Sequence, residues 1–100
     1  MAFFDYREGR LCAEDVPIDN IAELVHTPVY CYSASALRRN YQSYAEQFNP
    51  DNSLICYAVK ANSNQAIIKA LGDMGAGADV VSEGELRLAL LAGIPDEKIV

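Results

Sequence analysis

Ser53-Leu54-Ile55-Cys56-Tyr57-Ala58-Val59-Lys60-Ala61-Asn62-Ser63-Asn64 decides the fold. Residues 53–59 carry no charge, and apolar side chains occupy both alternating sets of positions. This is the pattern of a parallel strand covered on both faces. Ser63 or Asn64 then offers a side-chain oxygen to cap a helix. That helix carries Ile67, Ile68 and Leu71 on one side, and Gly72 is expected to end it. One strand, one turn and one helix therefore follow in order, with a lysine at the join.

The same unit recurs on either side. Upstream, Pro28 opens a compact β-prone run, Val29 to Tyr32, since proline is tolerated at a strand's first position. Ser33 or Ser35 caps a helix whose apolar face is Leu37, Tyr41, Tyr44, Ala45 and Phe48, and Asn49-Pro50 ends it. Downstream, Gly77 to Val81 reads as a third strand. Ser82 and Glu85 form an S-x-x-E capping box for a helix through Leu86, Ala89 and Leu90, which Gly93 closes. Strand and helix alternate at about twenty to twenty-five residues per unit, which predicts an α/β fold with a parallel sheet and right-handed crossovers. An open doubly wound sheet and a (β/α)8 barrel both fit, and periodicity does not choose between them. Residues 1–27 are less regular. Phe3 to Tyr6 and Leu11 to Ala13 read as short strands around a Glu8-Gly9-Arg10 turn, followed by a short helix from Pro17 to Val25.

Bulk properties narrow the function. Eight basic against fourteen acidic residues give a net charge of -6, which disfavours nucleic acid and anionic membranes as partners. No apolar run approaches the ~20 residues of a membrane span, and no basic-then-apolar start marks a secretory signal. Three widely spaced cysteines, Cys12, Cys31 and Cys56, read as free thiols, so a reducing cytoplasm is expected. His26 is the only histidine, and no metal site is expected. Ile99-Val100 reads as the opening of another buried strand, and the chain is expected to be the N-terminal part of a longer protein.

Two residues stand out chemically. Lys60 is the only charge between Ser53 and Gln65, and it lies at the C-terminal end of its strand, where both candidate architectures place active sites. If the strand runs to residue 60, Leu54, Cys56, Ala58 and Lys60 share one face, and Ala58 leaves room beside the amine. Apolar surroundings would favour a neutral, nucleophilic amine able to form a Schiff base. The plain alternative is a lysine that ends its strand by reaching into solvent. Asp79 lies near the same end of the next strand, where a carboxylate can pair with a protonated Lys60; an ordinary polar strand-end acid is the plain reading. Gly72, Gly75 and Gly77 precede a strand and complete no dinucleotide fingerprint, and no P-loop is present.

Tyr57-Ala58-Val59-Lys60-Ala61-Asn62-Ser63-Asn64 resembles the cofactor-lysine motif of the alanine-racemase-like, or fold-type III, pyridoxal-phosphate enzymes. Thr27-Pro28-Val29-Tyr30-Cys31-Tyr32 and the stretch from Gly75 to Leu86 are similar to the corresponding segments of diaminopimelate decarboxylases, and the likeness runs from residue 27 to residue 100. It implies the first three βα units of a (β/α)8 barrel over residues 28–100, with residues 1–27 joining a C-terminal β-domain. It further implies that Lys60 binds pyridoxal phosphate covalently, that Ala58 lies beneath the cofactor ring, and that Asp79 stands near the attachment point. The implied reaction is decarboxylation of meso-2,6-diaminopimelate to L-lysine and CO2 by a homodimer. Residues 1–100 alone are expected to be inactive, because the phosphate loop, the partner of the pyridine nitrogen and the substrate-carboxylate binders fall beyond Val100 in that pattern. Decarboxylases of ornithine, arginine or carboxynorspermidine, and a non-catalytic barrel that only carries the cofactor, are the alternatives. His26 stands where those relatives usually carry glycine, a departure confined to the local turn.

Overall fold

The computed structural model describes residues 2–100. It divides into two compact units, the first ending at Leu37 and the second running from Arg38 to Val100.

In the first unit, β1 (Phe4–Arg7) pairs antiparallel with β2 (Arg10–Ala13), and β2 pairs with β3 (Val16–Pro17). Glu8 and Gly9, at φ 52° and 78°, form the two-residue turn between the first pair. Two successive positive φ angles give the turn a twist that matches the strands it joins. Helix α1 (Ile18–Val25) follows directly. The anticipated strand at Val29 to Tyr32 does not form: these residues are in no ladder, and Val29, Tyr30 and Tyr32 are exposed. The segment has β propensity but finds no neighbouring edge among the described residues, and propensity without a ladder makes no strand. Ser33 caps α2 (Ala34–Ala45) by accepting from the Ala36 amide at 3.0 Å. Glu14 supports the same helix start, accepting from the Ser33 hydroxyl at 2.8 Å and the Ser35 hydroxyl at 2.9 Å.

The second unit holds the parallel strands. β4 (Cys56–Ala58) and β5 (Gly77–Asp79) pair in register Cys56 with Gly77, Tyr57 with Ala78, and Ala58 with Asp79. Ile99 adds a parallel bridge to Ala78, and the Val80 and Val100 amides bond across the same edge, each at 2.9 Å. The chain thus turns into strand pairing where the Ile99-Val100 pattern anticipates it. Helix α3 (Gln65–Asp73) crosses from β4 to β5, and α4 (Glu83–Leu91) leads from β5 to residue 99. Alternation directs Tyr57, Val59, Ala78 and Val80 to one side, where they pack with Ile68 of α3, Ala89 of α4, and Ala92 and Ile94 beyond it. Ile68 and Val59 are wholly buried there.

Several boundaries differ from the sequence reading: β4 begins only at Cys56, and β5 ends at Asp79, short of Val81. β4 stops at Ala58, and residues Val59–Ala61 form a 3-10 turn, so Lys60 is not a strand residue. Gly72 lies inside α3, and the chain reverses instead at Gly75, at φ 111°. Helix α2 ends at Ala45, short of Asn49-Pro50, and leaves Tyr44 and Phe48 exposed. The caps are placed as read: Asn64 accepts from Ala66, and Ser82 accepts from the Glu85 amide. Glu85 reaches one residue further back than a standard capping box, taking the Val81 amide at 3.0 Å.

Candidate functional site

The C-terminal ends of β4 and β5 bring Ala58 and Asp79 together. They are register partners at the last position of each strand, and neither side chain faces the apolar core. In a parallel pair, register partners and residues two apart share a face, so Cys56, Ala58, Gly77 and Asp79 form one surface. Gly77 is buried, with the neighbouring chain packed directly over it. A Cβ there would collide with the Lys98 carbonyl oxygen and lie 3.0 Å from the Cys56 sulfur. Burial, and secondarily the negative charge of Asp79, pushes the Cys56 thiol above its ordinary pKa.

Lys60 follows two residues after Ala58, on the turn that caps this edge. Val59 anchors the turn from below, wholly buried in the core. The turn is closed by the Asn62 amide donating to the Val59 carbonyl at 3.1 Å. Beyond it, the Asn64 amide donates to the Asn62 side chain at 3.0 Å, and Asn64 in turn caps α3. Lys60 is exposed and enters no ion pair among the described residues, in contrast to Lys69, which pairs with Asp73 at 3.1 Å. The apolar setting expected around Lys60 is absent because the strand ends early and the turn lifts the residue outward.

These residues suit an aldehyde cofactor. Covalent capture needs an amine not committed to a carboxylate, and Lys60 is one. A planar ring needs space near the amine, and the small, half-buried side chain of Ala58 leaves it. A cationic nitrogen needs a counter-charge, and Asp79 is exposed at the same edge. Among the described residues no group of His, Cys, Asp and Glu is arranged to hold a metal. Among the described residues no helix is long and apolar enough to cross a membrane.

Residues 34–100 match the model of the pyridoxal binding domain of pyridoxal-dependent decarboxylases, and the chain belongs to that family. Its cofactor is pyridoxal phosphate. The diaminopimelate decarboxylase of Aquifex aeolicus is 49% identical over 98 residues, covering 98% of this chain and 23% of that protein. A crystal structure from Aquifex aeolicus superposes with a TM-score of 0.90 at 46% identity, over 97% of this chain and 24% of the other. The diaminopimelate decarboxylase of M. jannaschii, solved with L-lysine, gives a TM-score of 0.87 at 36% identity, over 96% and 24%. The chain therefore spans about a quarter of the length of the relatives it matches.

Sequence reasoning overlooked two contributors. Tyr57 reads as core packing, yet its hydroxyl donates to the Asn62 carbonyl at 2.8 Å. The available signal was a phenol inside an otherwise apolar strand, because a half-buried hydroxyl needs an acceptor. Gly77 reads only as the start of the third strand, although its lack of a side chain is what lets β5 lie against the chain at Lys98.

Proposed function

We propose that this chain is the cofactor-lysine portion of an enzyme that decarboxylates meso-2,6-diaminopimelate to L-lysine and CO2. The observation that carries the reading is 49% identity to a diaminopimelate decarboxylase across nearly the whole chain, with Lys60 free at the β4 edge. Residues 28–100 supply the first βα units of a (β/α)8 barrel, and residues 1–27 form a separate N-terminal segment. The complete protein works in the cytoplasm as a homodimer on a small amino-acid substrate; the lysine-bound relative supports that substrate class.

Each residue has a defined task. The Lys60 amine would hold the cofactor covalently. Asp79 provides the negative charge that keeps a protonated nitrogen at this edge. Ala58 would leave space for the cofactor beside the Lys60 turn. Pyridoxal phosphate, when bound, supplies the electron sink for the pair released as the bond from the α-carbon to the carboxylate breaks. The α-carbon then takes up a proton in place of CO2.

The test uses the complete polypeptide containing these residues, with pyridoxal phosphate. CO2 release and L-lysine formation from meso-diaminopimelate are expected, with no turnover after Lys60→Ala. Turnover of ornithine or arginine in place of diaminopimelate would overturn the substrate. Full activity in Lys60→Ala would overturn the site.

A further inference from the structure

We infer that Tyr57 is a positioning residue for Lys60, acting through a hydrogen bond that closes the lysine-bearing turn. The inference rests on the proposed role of Lys60 and goes beyond it. Tyr57 lies on β4 with its ring packed against the core that contains Val59 and Ile68. Its hydroxyl reaches past the strand end and donates to the Asn62 carbonyl at 2.8 Å. Lys60 sits inside the loop this bond closes, between a strand residue and Asn62, two residues before the α3 cap.

The geometry gives the bond a purpose apart from stability. Lys60 is exposed, and no hydrogen bond or ion pair to its side chain holds it among the described residues. Its position is therefore set by its backbone. That backbone is a three-residue 3-10 turn, with a single turn bond from the Asn62 amide to the Val59 carbonyl at 3.1 Å. Runs of this kind have weaker hydrogen-bond geometry than an α-helix. The Tyr57 hydroxyl adds a second tie, and it comes from a ring fixed in the core. Asn62 is also joined to the α3 cap through its side chain, so one residue links the core, the turn and the helix start. Without the hydroxyl, the turn keeps one bond and the Lys60 amine samples more positions. Reactions of this amine depend on its placement, and a misplacement of ~1 Å can cost about a hundredfold in rate.

The experiment compares Tyr57→Phe with the parent holoenzyme. Phenylalanine keeps the ring in the core and removes the hydroxyl, and with it the bond to Asn62. The expected result is a fall in kcat of about tenfold or more, with KM changed less than about twofold, because a group that places the reacting amine acts on the chemical step. Cofactor content and melting temperature should stay near those of the parent. Replacing Tyr57 by 4-aminophenylalanine restores an N–H donor at the same place and should recover most of kcat. A parent-like kcat in Tyr57→Phe would overturn the inference. So would a loss of kcat that only tracks lost cofactor or lowered melting temperature, or one that the amino analogue fails to recover. Borohydride trapping of the parent separates this outcome from the underlying reading. Label absent from Lys60 overturns the assignment of the lysine itself, whereas label on Lys60 with an indifferent Tyr57→Phe variant overturns only the role of Tyr57.

Discussion

Ala58 and Asp79 are register partners at the final position of two parallel strands, so the smallest chiral side chain and a carboxylate stand side by side at one sheet edge. The Lys60 turn begins one residue after Ala58. This arrangement gives Ala58 a volume constraint that its own packing does not require, since it is only half-buried and faces away from the core.

Ala58→Leu is therefore expected to reduce cofactor occupancy while sparing the fold. Overpacking a filled site costs about 1–3 kcal/mol, which corresponds to roughly one to two orders of magnitude in cofactor affinity. Titration of the apoenzyme with pyridoxal phosphate, followed by absorbance, checks this. Unchanged affinity would show that residue 58 does not border the ring.

Cys56 gives the same edge a pH signature. Its raised pKa means that the folded state holds the thiol proton more tightly than the unfolded chain does. The stability this contributes is complete below the ordinary thiol range, near pH ~8.5, and is lost as pH rises through the folded value. In the apoenzyme, the pH profile of Cys56 alkylation should lie above that of a free cysteine. Asp79→Asn should move it only part of the way down, because burial is the larger cause and persists. A profile that ignores the substitution would show that the Asp79 charge does not reach the thiol.

His26 carries a strain that the sequence hints at. It ends α1 at φ 68° and ψ 173°, a region almost reserved for glycine. His26→Gly is expected to stabilise the protein by about 1–2 kcal/mol, the lower part of the range for such conformations. Denaturant unfolding measures it directly. A destabilised glycine variant would mean that the imidazole makes contacts worth more than the strain.

Much of this was legible in the sequence, and the failures share a cause. Short apolar runs located β4 and β5, helical spacing located their covering helices, and the caps at Asn64 and Ser82 followed from short-range chemistry between residues two or three apart. Position at the strand ends singled out Lys60 and Asp79, and the resemblance then attached roles to them and to Ala58. Pattern was silent wherever a distant partner decides the outcome. Val29 to Tyr32 has strand composition but no ladder here. The early end of β4 depends on how Val59 is buried against Ile68 and Ala89, and no local pattern shows that. The tyrosine bond to Asn62 likewise depends on where the turn goes after the strand stops.

The central claim is that Lys60 carries the cofactor, and borohydride reduction followed by peptide mapping tests it most directly. The chain offers two other lysines as internal controls: Lys69, paired with Asp73 on α3, and Lys98, in the turn before Ile99. Reduction of the holoenzyme fixes the cofactor to its lysine, and proteolysis with mass spectrometry identifies the labelled peptide. The account predicts a pyridoxyl group on Lys60 and on neither of the others. Label on Lys69 or Lys98, with Lys60 unmodified, would contradict it.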